Sequence, residues 1–175
     1  MTEAEQAHCP SPQDVHVLQV WGRTRAAVES LTETVYADVA GTTGLPRSSF
    51  EALWFLYFAT GHSAPMSALG RELQFSTAGI TKLTDRLAAS GLLRRTPDAT
   101  DRRVTLAELT DRGVHAVQEA GLVLAEAVRT RIVAEIGLTQ FEELASVLTQ
   151  LSPGNARCPT TAQRGSPART PSAAS

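Results

Sequence analysis

Few residues in this chain of 175 point to chemistry. Its two cysteines, Cys9 and Cys158, lie far apart and each precedes a proline, so no disulfide framework is expected. Net charge is only −2, which gives no general attraction for polyanions. No apolar run is long enough to cross a bilayer, and no leader-like segment precedes the first expected helix. The expected location is the cytoplasm, away from membranes. The chain has no phosphate-cradling glycine loop, no Ser or Cys nucleophile with an evident His partner, and no paired-carboxylate motif. These gaps argue against an enzyme and against a cofactor. His8, Cys9, Asp14 and His16 are irregularly spaced across a proline-containing segment and make a poor zinc set, so no metal is expected. His115 reads as a helix-surface residue.

What is present is apolar content and pattern. At 42% hydrophobic, the chain can build one domain with a core. A helix is expected from Pro12 or Gln13 to Val39, with Val15, Leu18, Trp21, Val28, Leu31 and Val35 as apolar positions and the Gly41 to Gly44 stretch as its end. Leu45 to Ser48 opens a second helix that carries Phe50, Leu53, Trp54, Leu56, Tyr57 and Phe58. A long helix starts near Thr110, whose hydroxyl can cap it, and runs to about Ile136. Gly137 breaks it, and Thr139 is placed to cap a last helix through Phe141, Leu144, Val147, Leu148 and Leu151. Residues 1–11 and 153–175 read as disordered tails, the second rich in Pro, Ser, Thr, Ala and Arg.

The densest signal lies between Met66 and Gly113. Met66, Leu69 and Leu73 form one helical stripe, with Gly70 inside it, where a small residue admits a second helix. Ser76 can cap that second helix. Ile80, Leu83 and Leu87 are its buried stripe, and Thr77, Ala78, Thr81, Lys82, Asp85 and Arg86 lie on its other face. Gly91 supplies a left-handed ending. Short side chains followed by cations suit a major groove: the first allow close approach and the second meet phosphate. Gly79 costs this helix about 1 kcal/mol relative to alanine, which close approach to DNA or to the first helix would explain. Leu92 to Thr96 then reads as a strand, Pro97 to Thr100 as a turn, and Arg103 to Leu109 as a second strand. Arg102 and Arg103 fall near the tip, where they can reach the minor groove or its phosphates. Asp101 is placed to hold an arginine in one rotamer.

Charge is distributed to match. Residues 1–63 hold Arg23, Arg25 and Arg47 against Glu3, Glu5, Asp14, Glu29, Glu33, Asp38 and Glu51. Most of the cations that can face a groove lie between Lys82, the only lysine, and Arg103. This favours a local, oriented footprint.

These pieces resemble the MarR family of multiple-antibiotic-resistance-type regulators. The matching stretches are SALGREL, STAGITKLTDRLAASGLLRR and the wing DATDRRVTLAELTDRG, with Asp101, Arg103, Leu109, Thr110 and Gly113 the most specific element. The strong resemblance covers about Leu45 to Gly113, and the flanking helices extend it to roughly residues 12–152. Gln74 departs from it, standing where glycine is common, as does Gly70, where alanine is usual. The resemblance implies a mainly α fold with a small β-hairpin wing. A winged helix-turn-helix head occupies about 45–110. Dimerisation helices at about 12–40 and 110–152 would interlock two subunits. It implies a homodimeric repressor on a palindromic operator, released by a small aromatic or lipophilic effector. DNA contacts would come from Ser76, Thr77, Ala78, Thr81, Lys82, Arg86, Arg94, Arg95, Asp101, Arg102 and Arg103. Effectors in such proteins bind between the dimer helices and the head, which selects Trp21, Arg25, Trp54, Phe58 and His62 as pocket candidates. As plain surface or core, any one of these residues would need no function. Two alternatives stand beside this reading: a redox sensor acting through Cys9, or a winged-helix module that binds protein instead of DNA.

Overall fold

The computed structural model describes residues 9–151, so the expectations for the outer parts of both tails, and for His8 and Cys158, lie outside the described residues. The fold divides between Arg131 and Ile132 into two compact units.

The first unit opens with helix α1, Pro12–Thr43. Ser11, read from sequence as part of a tail, is its cap: the hydroxyl accepts the Asp14 N–H while the Asp14 carboxylate accepts the Ser11 N–H, a reciprocal box. The hydrogen bonds from Ser11 hold the Asp14 carboxyl below the ordinary range. At 32 residues the helix is about 48 Å long. Its end falls at Gly44, whose positive φ of 71° lets its N–H return to the Ala40 carbonyl. Only Val35 and Val39 of α1 are buried. The earlier turns leave Val17, Leu18 and Trp21 about 60% exposed.

Helix α2, Arg47–Phe58, buries Phe50, Ala52, Leu53 and Leu56. A three-residue strand β1, Ser63–Pro65, follows a turn in which Gly61 and His62 both take positive φ. The head continues through α3, Met66–Glu72; α4, Thr77–Ala89; β2, Leu93–Pro97; β3, Thr105–Leu109; and α5, Asp111–Val128. The sheet is antiparallel in the order β1-β3-β2, with Ala64 opposite Ala107 and Arg94 opposite Glu108. Leu53, Leu56, Leu69, Ala107, Val117 and Ala120 have no exposure and form the centre on which helices and sheet converge.

Two glycines set close approaches. A methyl on Gly113 would sit 3.0 Å from the Leu92 carbonyl carbon and overlap its oxygen, so α5 begins directly against the start of β2. A methyl on Gly121 would stand 2.8 Å from the Trp54 ring, which lies across α5.

The long helix expected to reach Ile136 does not run unbroken. A π-helical stretch, Arg129–Val133, interrupts it before a single turn, Ala134–Ile136. Within that stretch Arg131 forms a two-pronged ion pair with Asp38 of α1, which holds the Asp38 carboxyl below its ordinary range. In the second unit Gly137 takes a φ of 79°, and helix α6, Leu138–Leu151, begins at once. Thr139 therefore lies inside the first turn and does not cap it, contrary to the sequence expectation. Leu144, Val147, Leu148 and Leu151 are 42–76% exposed.

The sequence pattern located these helices closely, and the architecture is the expected one: mainly helical, with a small antiparallel sheet. The sheet has one strand more than anticipated. β1 is only three residues long, so nothing local announced it.

Candidate nucleic-acid interface

Helix α4 is positioned from its own sequence. The Ser76 hydroxyl accepts the Gly79 N–H at 3.2 Å and so caps it. Ile80, Leu83, Thr84 and Leu87 are buried on one side, and Thr77, Ala78, Thr81, Lys82, Asp85 and Arg86 are exposed on the other. The buried face packs at the inner helix of the head: a methyl on Gly70 would lie 3.5 Å from Ile80, an ordinary contact, so alanine would fit there. Gly79 meets the Phe75 ring and the Ser76 hydroxyl at 3.3 Å from where a Cβ would be. Its small size thus serves the turn between α3 and α4, a neighbour that sequence reading did not name. That turn bends through Gln74, whose φ is +55°, a left-handed conformation usually left to glycine. At Gly91, beyond α4, φ is +71°, as the sequence reading expected.

The wing is the β2–β3 hairpin, whose tip is built by Asp98. Its carboxylate accepts the Thr100 hydroxyl and the N–H groups of Thr100 and Asp101. These donors, the Thr100 hydroxyl foremost, hold the carboxyl below its ordinary range. The loop closes through Asp98 N–H to the Val104 carbonyl and Val104 N–H to the Asp101 carbonyl, both 2.9 Å. Asp101 does not grip an arginine side chain, as the sequence suggested. Its carboxylate accepts the Arg103 backbone N–H at 3.0 Å and so orients that residue through the main chain. Arg102 and Arg103 stand exposed at the tip.

Arg94 and Arg95 have partners within the head. Arg94 forks onto Glu108 across the ladder, at 3.0 and 2.6 Å, and this pairing lowers the Glu108 carboxyl and raises the guanidinium. Arg95 turns toward α4. Its Nη2 lies 3.0 Å from the Thr81 carbonyl, 2.7 Å from the Thr84 hydroxyl and 2.7 Å from Asp85. Arg86 reaches back to the Ser49 hydroxyl of α2 at 3.5 Å.

Between α3, the start of α4 and the foot of the wing lies an open cleft of about 630 Å³. Thr77, Thr81 and Arg103 line it together with Arg71, Gln74 and Phe75. The sequence reading named the first three. It passed over the others because they belong to the turn and to the inner helix, and only the fold turns them to this side.

The five proposed pocket residues fall into two groups. Trp54, Phe58 and His62 belong to one aromatic cluster around Tyr57: Trp54 and Phe58 meet edge to face at 5.0 Å, and Tyr57 stacks on His62 at 5.3 Å. The His62 Nδ1 lies 2.8 Å from the Tyr57 carbonyl. Trp21 and Arg25 stand on the exposed first half of α1, where Arg25 pairs with Glu29 of its own helix. Cys9 is exposed ahead of the α1 cap. Among the described residues no group of three His, Cys, Asp or Glu could hold a metal ion, and no helix is long and apolar enough to cross a membrane.

Residues 43–104 match the profile of the MarR family. The HTH-type transcriptional regulator PrsX of Escherichia coli is 32% identical over 92 residues, 53% of this chain and 54% of that protein. The chain thus spans about half the length of the curated relatives it matches first. Among solved structures, Sco5413, a MarR family transcriptional regulator from Streptomyces coelicolor, is 28% identical with a TM-score of 0.65, over 78% of this chain and 93% of that one. Sco3205 from the same organism, a MarR family transcriptional regulator solved in complex with DNA, is alike in fold: TM-score 0.72 at 19% identity, over 84% of this chain and 91% of that one.

Proposed function

We propose that this chain is a MarR-type winged helix-turn-helix transcriptional regulator that reads double-stranded DNA as a homodimer, a reading supported by the profile match over residues 43–104 and by the likeness to PrsX and Sco5413. One observation carries the reading. The exposed start of α4, through Thr77 and Thr81, and Arg103 of the wing border the same open cleft. A helix end with small polar side chains beside a basic hairpin matches a major groove, a phosphate ridge and the next minor groove in turn. Ser76, Thr77, Ala78 and Thr81 would approach base edges and the adjacent backbone. Lys82, Arg86 and Arg102 would meet phosphates, and Arg103 would enter or flank the minor groove, aimed by Asp101. The fold likeness to Sco3205, solved with DNA, supports the assignment.

Dimerisation is supported by uncovered apolar surface. Leu18, Trp21 and Val28 on α1, and Leu144, Val147, Leu148 and Leu151 on α6, are all more than 40% exposed in the single chain. A second copy is the natural cover, and two-fold symmetry would set two α4 helices about 34 Å apart, one DNA turn. The protein would act as a repressor. An aromatic or lipophilic effector settling by Trp54, Phe58 and His62, with Trp21 and Arg25 contributed from α1, would alter the spacing of the heads and release DNA.

The test is selection of duplexes from a randomised library, followed by affinity across a salt series and light scattering. Lys82→Ala and Arg103→Ala should each stay dimeric, lose about 1–3 kcal/mol of binding and lower the salt slope by about one. Leu148→Asp should halve the solution mass, because burying an unpaired carboxylate in the seam costs more than the lost leucine, about 2–5 kcal/mol. A Leu148→Asp protein that remains dimeric would remove α6 from the interface. Failure to select any duplex would leave the protein-interaction reading in its place.

A further inference from the structure

The position of Arg95 carries a consequence for how such a head would discriminate sequences, and it rests on the DNA-reading assignment above. Arg95 belongs to β2, in register with Ala107 of β3, so it is part of the rigid hairpin whose tip holds Arg102 and Arg103. Its side chain leaves the hairpin and ends on α4, where one nitrogen serves three acceptors: the Thr81 carbonyl, the Thr84 hydroxyl and the Asp85 carboxylate. Thr84 has no exposure, and its own hydroxyl also donates to the Ile80 carbonyl. The anchor is therefore a fixed point in the core and not a mobile surface group.

Two features argue against phosphate as the partner of this arginine. Its charge is already met by Asp85 at 2.7 Å, and only 32% of its side chain is exposed. A phosphate would have to displace a charge-assisted contact in order to gain one. What the arrangement does supply is geometry. Thr81 and its exposed neighbours Thr77, Ala78 and Lys82 form the reading face of α4, and the guanidinium grips that helix within the same turn. We propose that Arg95 is a positioning residue: it locks the recognition helix at one angle and distance to the wing, and sequence discrimination depends on it without its touching DNA. Base readout tolerates little misalignment, whereas phosphate contacts, which carry no sequence information, survive a slight rotation. Loss of the strut should then cost specificity before it costs general affinity.

The experiment uses the full chain and two probes: a duplex selected by the wild-type protein from a randomised library, and a scrambled duplex of equal composition. Arg95→Gln should lower the ratio of the two affinities by about tenfold, the discrimination carried by one well-aimed base contact. Affinity for the scrambled duplex and the salt slope should stay as in the wild type. Arg95→Lys keeps the charge but puts it on a shorter, flexible stem without the planar fork, and should recover the discrimination only in part. Thr84→Val leaves Arg95 intact and removes its buried anchor, so it should show the same loss of discrimination even where Arg95→Gln folds poorly. In the free protein, amide hydrogen exchange over residues 81–86 should quicken in all three variants. A fall in salt slope of about one with equal loss on both duplexes would identify a phosphate contact and overturn the strut. Should the wild-type protein select no duplex at all, the DNA-reading head fails first and this inference with it. Wild-type selection with unchanged discrimination in the variants refutes the strut alone.

Discussion

Replacing Gly113 with alanine tests the closest approach in the head. The added methyl would stand 3.0 Å from the Leu92 carbonyl carbon and overlap the oxygen, while carbon atoms pack comfortably at about 3.5–4.0 Å. More than an ångström must open at that oxygen, and neither side is free to give. The Leu92 oxygen accepts the Thr110 N–H at 3.2 Å. The Thr110 hydroxyl donates to the Gly91 carbonyl and caps Gly113 itself. Leu92, Leu93 and Leu109 are all buried. Overpacking of this kind costs about 1–3 kcal/mol, and losing the Thr110 hydrogen bond adds about 1 kcal/mol or more. Against this stands a helix-propensity gain of about 1 kcal/mol for leaving glycine. The net is a loss of about 1–3 kcal/mol, or a fall in Tm of about 2–12 °C for a chain of this size. The control is Gly41→Ala, near the end of α1, where nothing lies within 4 Å of the added carbon and φ is not left-handed. It should hold or raise stability by up to about 1 kcal/mol. Both are read by circular dichroism melts at one fixed protein concentration. Equal melting of the two variants would refute the tight seam between α5 and β2.

Gln74→Gly should stabilise the protein by up to about 1–2 kcal/mol, because a side chain at φ +55° carries the left-handed penalty that glycine avoids; an unchanged urea midpoint would mean that the side chain makes a compensating contact. Acid should loosen the wing tip. The folded Asp98 carboxyl sits below its ordinary value, so its contribution is complete above the unfolded value near 3.9 and is lost as pH falls through the folded one. NMR of the Thr100 and Asp101 amides against pH should show this, and Asp98→Asn should remove the dependence.

Several elements were legible in the sequence because their causes are local. Ser76 and Thr110 cap within three residues. The stripe of Ile80, Leu83 and Leu87 declares the buried face of α4 by spacing alone, and Gly91 marks a left-handed ending that few other residues take. Helix caps and period depend on neighbours within a turn, so they survive being read one residue at a time. The place of helix α4 and of the arginines at the wing tip followed from that order. What the sequence left open depended on partners far along the chain. β1 exists because β3 offers it an edge more than 40 residues away. Arg131 finds Asp38 across 93 positions. Gln74 is left-handed because α3 and α4 must meet at that corner, whatever residue occupies it. Arg94 and Arg95 look identical in sequence, two adjacent cations before a turn. They point to opposite sides of a strand, so one closes on Glu108 and the other on α4. Strand alternation is written in the sequence, but what stands on each side of the strand is decided only when the sheet closes against the helix.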